Sequence, residues 1–179
     1  MLKPLESILE PDARHRNSVS GLAALGGRPF QIEDLYALVR PLELGPGVPN
    51  EIRIQFDAAR HAFIYSWFAY DLVTLAESHA YGALENALHL RAEREGRKTR
   101  RGLRKRIDDA VAWGWLNPRD YEMPTGTGGT VSLLDMAREL RNRLAHGAVH
   151  LYPQGSLAMI ELCGAVITKL FPVAQSDQT

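Results

Sequence analysis

From Glu51 to about Glu95 the chain runs without a proline, and its apolar residues recur at helical spacing. Phe56, Ala59, Phe63, Ser66, Tyr70 and Val73 follow one stripe, and Ile64, Phe68, Leu72 and Leu75 a second. Between 62 and 76 the two stripes wrap most of the circumference. That pattern predicts a central helix, or one covered on both sides, for instance by its own core and by a second subunit. Gly82 is the one interior glycine, and the stretch is long enough to bend there or to be two helices.

Further on, Leu103, Ile107, Ala110, Val111 and Trp113 predict a helix over Gly102–Leu116, ended by Asn117-Pro118 because the residue before proline is pushed out of the α region. The Thr125–Thr130 stretch lacks the Gly-Lys-Ser/Thr of a phosphate loop and reads as a flexible connection. Ser132 is the expected N-cap of a helix through Leu144–Ala145 that Gly147 closes, and a last helix covers Ser156–Leu170 before Pro172. Residues 1–50 hold six of the ten prolines and read as an irregular arm with one short element, Gln31–Val39. Its Phe30, Ile32, Leu35, Tyr36 and Leu38 predict that the arm packs on the bundle. The expected fold is all-α, a four- to five-helix up-and-down bundle over 51–172, with the arm at 1–50 and a polar tail at 173–179.

A chain of 179 residues and 19.9 kDa fits one domain, and 45% hydrophobic against 23% charged residues excludes a disordered chain. The single cysteine, Cys163, excludes an internal disulfide and sits among Ile160, Leu162, Ala165 and Val166 as a buried thiol. No secretory start is visible, and Ser66, Asp71 and Thr74 interrupt the most apolar stretch, which falls short of the roughly 20 apolar residues of a membrane span. The expectation is a cytoplasmic protein with no membrane partner. Net charge is zero, yet residues 91–106 hold nine of the 21 basic residues and only two of the 21 acids. Arg97, Arg100, Arg101 and Arg104 are candidate phosphate contacts in that run, the alternative being a solvated helix end.

The helix over 132–146 carries the densest chemistry. Leu133, Met136, Ala137, Leu140 and Leu144 form its core stripe, while Arg138, Asn142 and His146 fall on the other side near Asp135. Arg141 lies at the boundary, about 140° around from His146 at about 100° per residue. A shared site therefore needs the reach of the guanidinium, or a twofold pair that sets one chain's arginine beside the other's histidine.

Arg141-Asn142-(x)3-His146 at a helix end resembles the Arg-x4–6-His signature of the HEPN superfamily. Its context agrees: Leu84-Glu85-Asn86-Ala87-Leu88 ends a long helix, Ala112-Trp113-Gly114-Trp115-Leu116 closes the next, and Arg138-Glu139-Leu140-Arg141-Asn142 follows. The resemblance covers about residues 55–170. It implies a metal-independent endoribonuclease without cofactors, its site assembled from two motifs across a homodimer, with RNA as substrate and an antitoxin or other protein as a possible partner. His146 would move the proton of a ribose 2′-hydroxyl or protonate the leaving oxygen. Arg141 would bind the scissile phosphate, and Asn142 would orient one of them. Ala148 stands where one toxin subclass has a tyrosine, and His150-Leu151-Tyr152 is out of register, so that subclass's roles are not carried over. The family also includes domains that bind without cutting, which leaves a non-catalytic module for RNA, a nucleotide or a partner protein as the alternative.

Other readings stay open from the residues alone. Arg141 and His146 also suit an ordinary cationic helix C-terminus. Glu77, Glu85 and Asp71 lie in an apolar helix, where buried carboxylates need partners; pairing with Arg141 or Arg138 would explain one of them. Glu77 and Glu85 are the candidate supporting carboxylates, and Arg138 joins the candidate RNA contacts. His146 and His150 have no placed third ligand, so no metal site is expected. Trp113 and Trp115 read as core packing, or as bases' stacking partners.

Overall fold

The computed structural model describes residues 2–16, 30–125, 128–145 and 153–173. The fold is an all-α bundle with an N-terminal arm. The arm carries a 3-10 turn at Leu5–Ser7 and the helices α1 (Ala13–Arg16) and α2 (Ile32–Val39). The bundle is α3 (Asn50–Tyr65), α4 (Leu72–Arg94), α5 (Leu103–Ala112), α6 (Leu133–Ala145) and α7 (Pro153–Leu170). α4 is central and packs on α3, α5, α6 and α7. Ala76, Ala80, Ala83 and Ala87 are fully buried along it, and so small a surface lets α3 and α7 approach closely. Phe56, Phe63, Leu84, Leu88, Ile107, Leu134, Met159 and Ile160 fill the core between them.

The long predicted helix is two helices, and the break falls at 66–71 rather than at Gly82, which lies inside α4. The arm explains the position. A helix break frees backbone groups that need partners, and here the arm supplies them. Asp12 N donates to the Trp67 carbonyl (2.7 Å), Tyr70 N donates to Asp12 Oδ2 (3.2 Å), and Lys3 Nζ donates to the Phe68 carbonyl (3.3 Å). Ser66 Oγ turns back to the Phe63 carbonyl at 2.7 Å. Its oxygen lies 3.2 Å from Nε2 of the buried His15, which sits among the rings of Phe30, Trp67 and Tyr70. The rest of the arm buries Leu35, Val39, Leu44 and Val48 in the core. Gly47 fits where a Cβ would stand 2.3 Å from the Phe171 carbonyl oxygen, so the arm's second half lies backbone to backbone on the end of α7.

α4 and α5 end in the same way. Gly96 (φ +66°) follows α4 and Gly114 (φ +76°) follows α5, each in the left-handed region that favours glycine. Gly96 N donates to the Glu93 carbonyl and Arg97 N to the Ala92 carbonyl; Gly114 N donates to Val111 and Trp115 N to Ala110. Both are the paired capping bonds of a Schellman motif. α5 therefore stops at Ala112, five residues before Asn117-Pro118, which instead opens a 3-10 turn at Pro118–Tyr121.

The expected flexible connection contains a small hairpin, β1 (Glu122–Pro124) and β2 (Thr130–Ser132), antiparallel with Met123 opposite Val131. Thr125 N donates to the Gly129 carbonyl at 2.7 Å across its turn, whose residues 126 and 127 lie outside the described residues. Ser132 Oγ accepts from Asp135 N at 3.2 Å, the N-cap bond its position predicts. α7 begins earlier than expected, at Pro153, a first-turn position that requires no N–H donor. Gly147 and the tail 174–179 lie outside the described residues.

Candidate functional site

Ser78, Tyr81, Gly82 and Glu85 recur on one face of α4 and, with Arg141 and Leu144 of α6, line a cleft of about 230 Å³. A Cβ at Gly82 would meet nothing within 4 Å, so this glycine leaves the wall open rather than relieving a clash. Arg141 Nη2 stands 3.2 Å from Glu85 Oε2. The other carboxylate oxygen, Oε1, lies 3.9 Å from Nη1 of Arg106 on α5, which donates to the Glu85 carbonyl oxygen at 2.6 Å. One carboxylate thus faces two cations. Arg106 is anchored, its side chain only 12% exposed, whereas Arg141 keeps 35% of its surface open to the cleft. An ion pair this exposed is screened by water and contributes about 0–1 kcal/mol. An anion arriving in the cleft can compete for it.

Beneath the cleft Glu77 is buried and accepts from the Tyr81 hydroxyl (2.7 Å) and from Ser156 Oγ (2.8 Å). The two hydroxyls supply the partners a buried carboxylate needs, and they tie α4 to the first turn of α7. Burial pushes the Tyr81 phenol far above its ordinary range, with the neighbouring Glu77 charge acting in the same direction. The Cys163 thiol is fully buried and is likewise pushed up, first by burial and then by Glu77.

Of the three carboxylates open to an arginine partner, Glu85 takes Arg141. Glu77 is held by hydroxyls, and Asp71 is exposed and pairs with Arg14 of the arm at 2.9 Å. Asn142 is exposed and its side chain makes no hydrogen bond among the described residues. His146 lies outside the described residues; it follows Ala145, the last residue of α6. Arg138 pairs with Asp108 (2.7 Å) and with Asp135, and its Nε is buried without a hydrogen-bond partner among the described residues. Arg100 is held by Asp109 at 2.7 Å, and Arg97 by Glu95 at 3.2 Å. Arg101 and Arg104 are exposed and make no ion pair among the described residues. The basic run is therefore not one uniform surface: part of it is spent on local pairs.

Tyr81, Arg106 and Ser156 belong to this neighbourhood without having been singled out from the sequence. Tyr81 could have been found, since it lies four residues after Glu77 on one helix face. Nothing local marks Arg106 or Ser156, whose partners are 21 and 79 residues away. A larger cavity of about 770 Å³ lies between the arm and the α3–α4 turn, lined mainly by apolar residues such as Leu2, Ile8, Tyr65 and Phe68; of the three candidate carboxylates only Asp71 lines it. Among the described residues no helix is long and apolar enough to cross a membrane, and no group of three or more His, Cys, Asp or Glu is placed to hold a metal ion.

No family model, no curated protein and no solved structure matches this chain. The resemblance to HEPN domains rests on the chain's own residues.

Proposed function

We propose that the chain is a metal-independent endoribonuclease of HEPN type that cuts RNA at a composite site across a homodimer. The observation that carries this reading is the half-exposed Arg141 in an open cleft, at the end of the helix that His146 directly follows. Arg141 binds the scissile phosphate and the negative charge that grows on it, exchanging the Glu85 carboxylate for phosphate oxygens. His146 accepts the 2′-hydroxyl proton as O2′ bonds to phosphorus, or gives a proton to the departing 5′-oxygen. The P–O5′ bond breaks, and the products are a 2′,3′-cyclic phosphate and a 5′-hydroxyl, with no water consumed. Asn142, exposed one residue on from Arg141, orients either group.

The ion pair also favours a second reading. Arg141 already has a counter-charge, so a module that binds RNA, a nucleotide or a protein without cutting would need no catalytic histidine. Mixing inactive variants separates the two. Arg141→Ala and His146→Ala homodimers are each inactive in the proposed enzyme, while the mixed dimer keeps one site with an intact arginine and an intact histidine. Recovery of activity on mixing supports a composite site. Failure to recover excludes it, and undiminished activity of the separate variants excludes the enzyme reading of this motif.

A further inference from the structure

The two Schellman caps deliver side chains to one place. Arg97, just after Gly96, stands over both tryptophans that flank Gly114, 5.1 Å from the Trp113 ring centre and 5.8 Å from that of Trp115. Arg91, from the last turn of α4, lies over Trp115 at 5.6 Å. The two indoles meet edge to face at 4.6 Å. Both are partly buried, and Trp115 packs against the edge of the core, so each keeps only part of its indole open to solvent. Glu95 pairs with Arg91 (2.6 Å) and with Arg97 (3.2 Å), yet the two arginines keep 31% and 42% of their side-chain surface open. Lys98 and Arg101, in the connection that follows, are exposed and make no ion pair among the described residues.

A pair of indoles left partly open forgoes some of the stabilisation that full burial of their large apolar area would bring. A leucine after Gly114 would satisfy the cap equally well. What the indoles add is π-faces, and the guanidiniums over them can turn to phosphate while remaining stacked.

We infer that Trp113 and Trp115, with Arg91 and Arg97, form a stacking platform for unpaired bases of single-stranded RNA beside the Arg141 cleft. This rests on the ribonuclease reading for its substrate. Faces of this kind take any base, but only one released from a helix, because a duplex keeps its base faces stacked inside. The platform and the cleft share α4, where Glu85 and Arg91 are about 9 Å apart along the axis at 1.5 Å per residue. Arg106 of α5 stands at the Glu85 end. The platform selects unpaired substrate for a cleft on the same helix.

The test uses the full chain and a short 2′-O-methyl RNA, which binds but cannot be cut. Its binding quenches wild-type tryptophan fluorescence, since the third indole, Trp67, is buried under the arm. Trp113→Leu and Trp115→Leu each weaken binding roughly tenfold, and the matching duplex competes poorly. Equal affinity of the variants and wild type, binding without quenching, or a duplex that binds as tightly as the single strand would overturn the platform. If wild type cuts RNA while the tryptophan variants bind and cut as it does, the platform alone falls. Tryptophan-dependent binding without any cleavage sinks the ribonuclease reading and leaves the platform standing. No binding and no cleavage removes both.

Discussion

Arg141 on α6 and Glu85 on α4, 56 residues apart in the chain, meet at 3.2 Å in a cleft whose wall is opened by Gly82. The contact holds the arginine of the sequence motif at a helix end while leaving it accessible. It also places a resident carboxylate where an incoming anion would bind.

Removing that carboxylate should therefore strengthen anion binding. Glu85→Gln keeps the shape of the side chain and abolishes its charge, leaving Arg141 and Arg106 without their shared counter-ion. The expected result is several-fold tighter binding of an uncleavable RNA at low salt, with stability lowered by about 1 kcal/mol or less. Fluorescence titration and urea unfolding read the two effects separately. Weaker binding by this variant would mean that Glu85 positions Arg141 for its ligand rather than competing with it.

Glu77 is different because it is buried and both its oxygens are used. Glu77→Ala leaves the hydroxyls of Tyr81 and Ser156 without their acceptor and opens a cavity, so it should cost roughly 2–4 kcal/mol. Glu77→Gln keeps one carbonyl acceptor and should cost less. A urea midpoint for the alanine variant equal to wild type would remove Glu77 from the account of how α4 and α7 are joined.

The arm should loosen in mild acid. His15 titrates below its ordinary value of 6.5, chiefly because burial disfavours the imidazolium; Asp12 opposes that shift and Arg14 adds to it. Since the unfolded chain binds this proton more readily, the stability His15 confers is fully present above about pH 6.5 and is lost as pH falls through the lower folded value. Asp12, held well below the carboxylate range first by its hydrogen bond from Arg14, stays ionised across this window. Urea midpoints at pH 7 and pH 5 should fall further for wild type than for His15→Gln. Equal drops would place the acid sensitivity elsewhere.

Much of the bundle was legible because its signals are local: the apolar period of α5, α6 and α7, and Ser132 as a cap. The break at 66–71 was not, because Asp12 and Lys3 of the arm determine it from more than 50 residues away. Apolar periodicity there continues through residues that have left the helix. The hairpin over 122–132 escaped for a related reason, being three residues a side in a stretch rich in Thr and Gly. For the site, burial logic correctly demanded partners for Glu77 and Glu85, but residue type could not say which carboxylate faced an arginine and which faced hydroxyls. Trp113 and Trp115 read as core packing or as stacking partners from apolarity alone; that both are partly buried, Trp115 against the core, follows from where two glycine caps aim the chain.

The most direct test of the Arg141–His146 site is cleavage of a single-stranded RNA in EDTA, with the ends of the products identified. Wild type should yield 2′,3′-cyclic phosphate and 5′-hydroxyl ends. His146→Ala and Arg141→Ala, with unchanged circular dichroism, should each lose about 10²-fold or more of the rate. Cleavage by both variants at the wild-type rate, or no cleavage by the wild-type protein, would contradict the site.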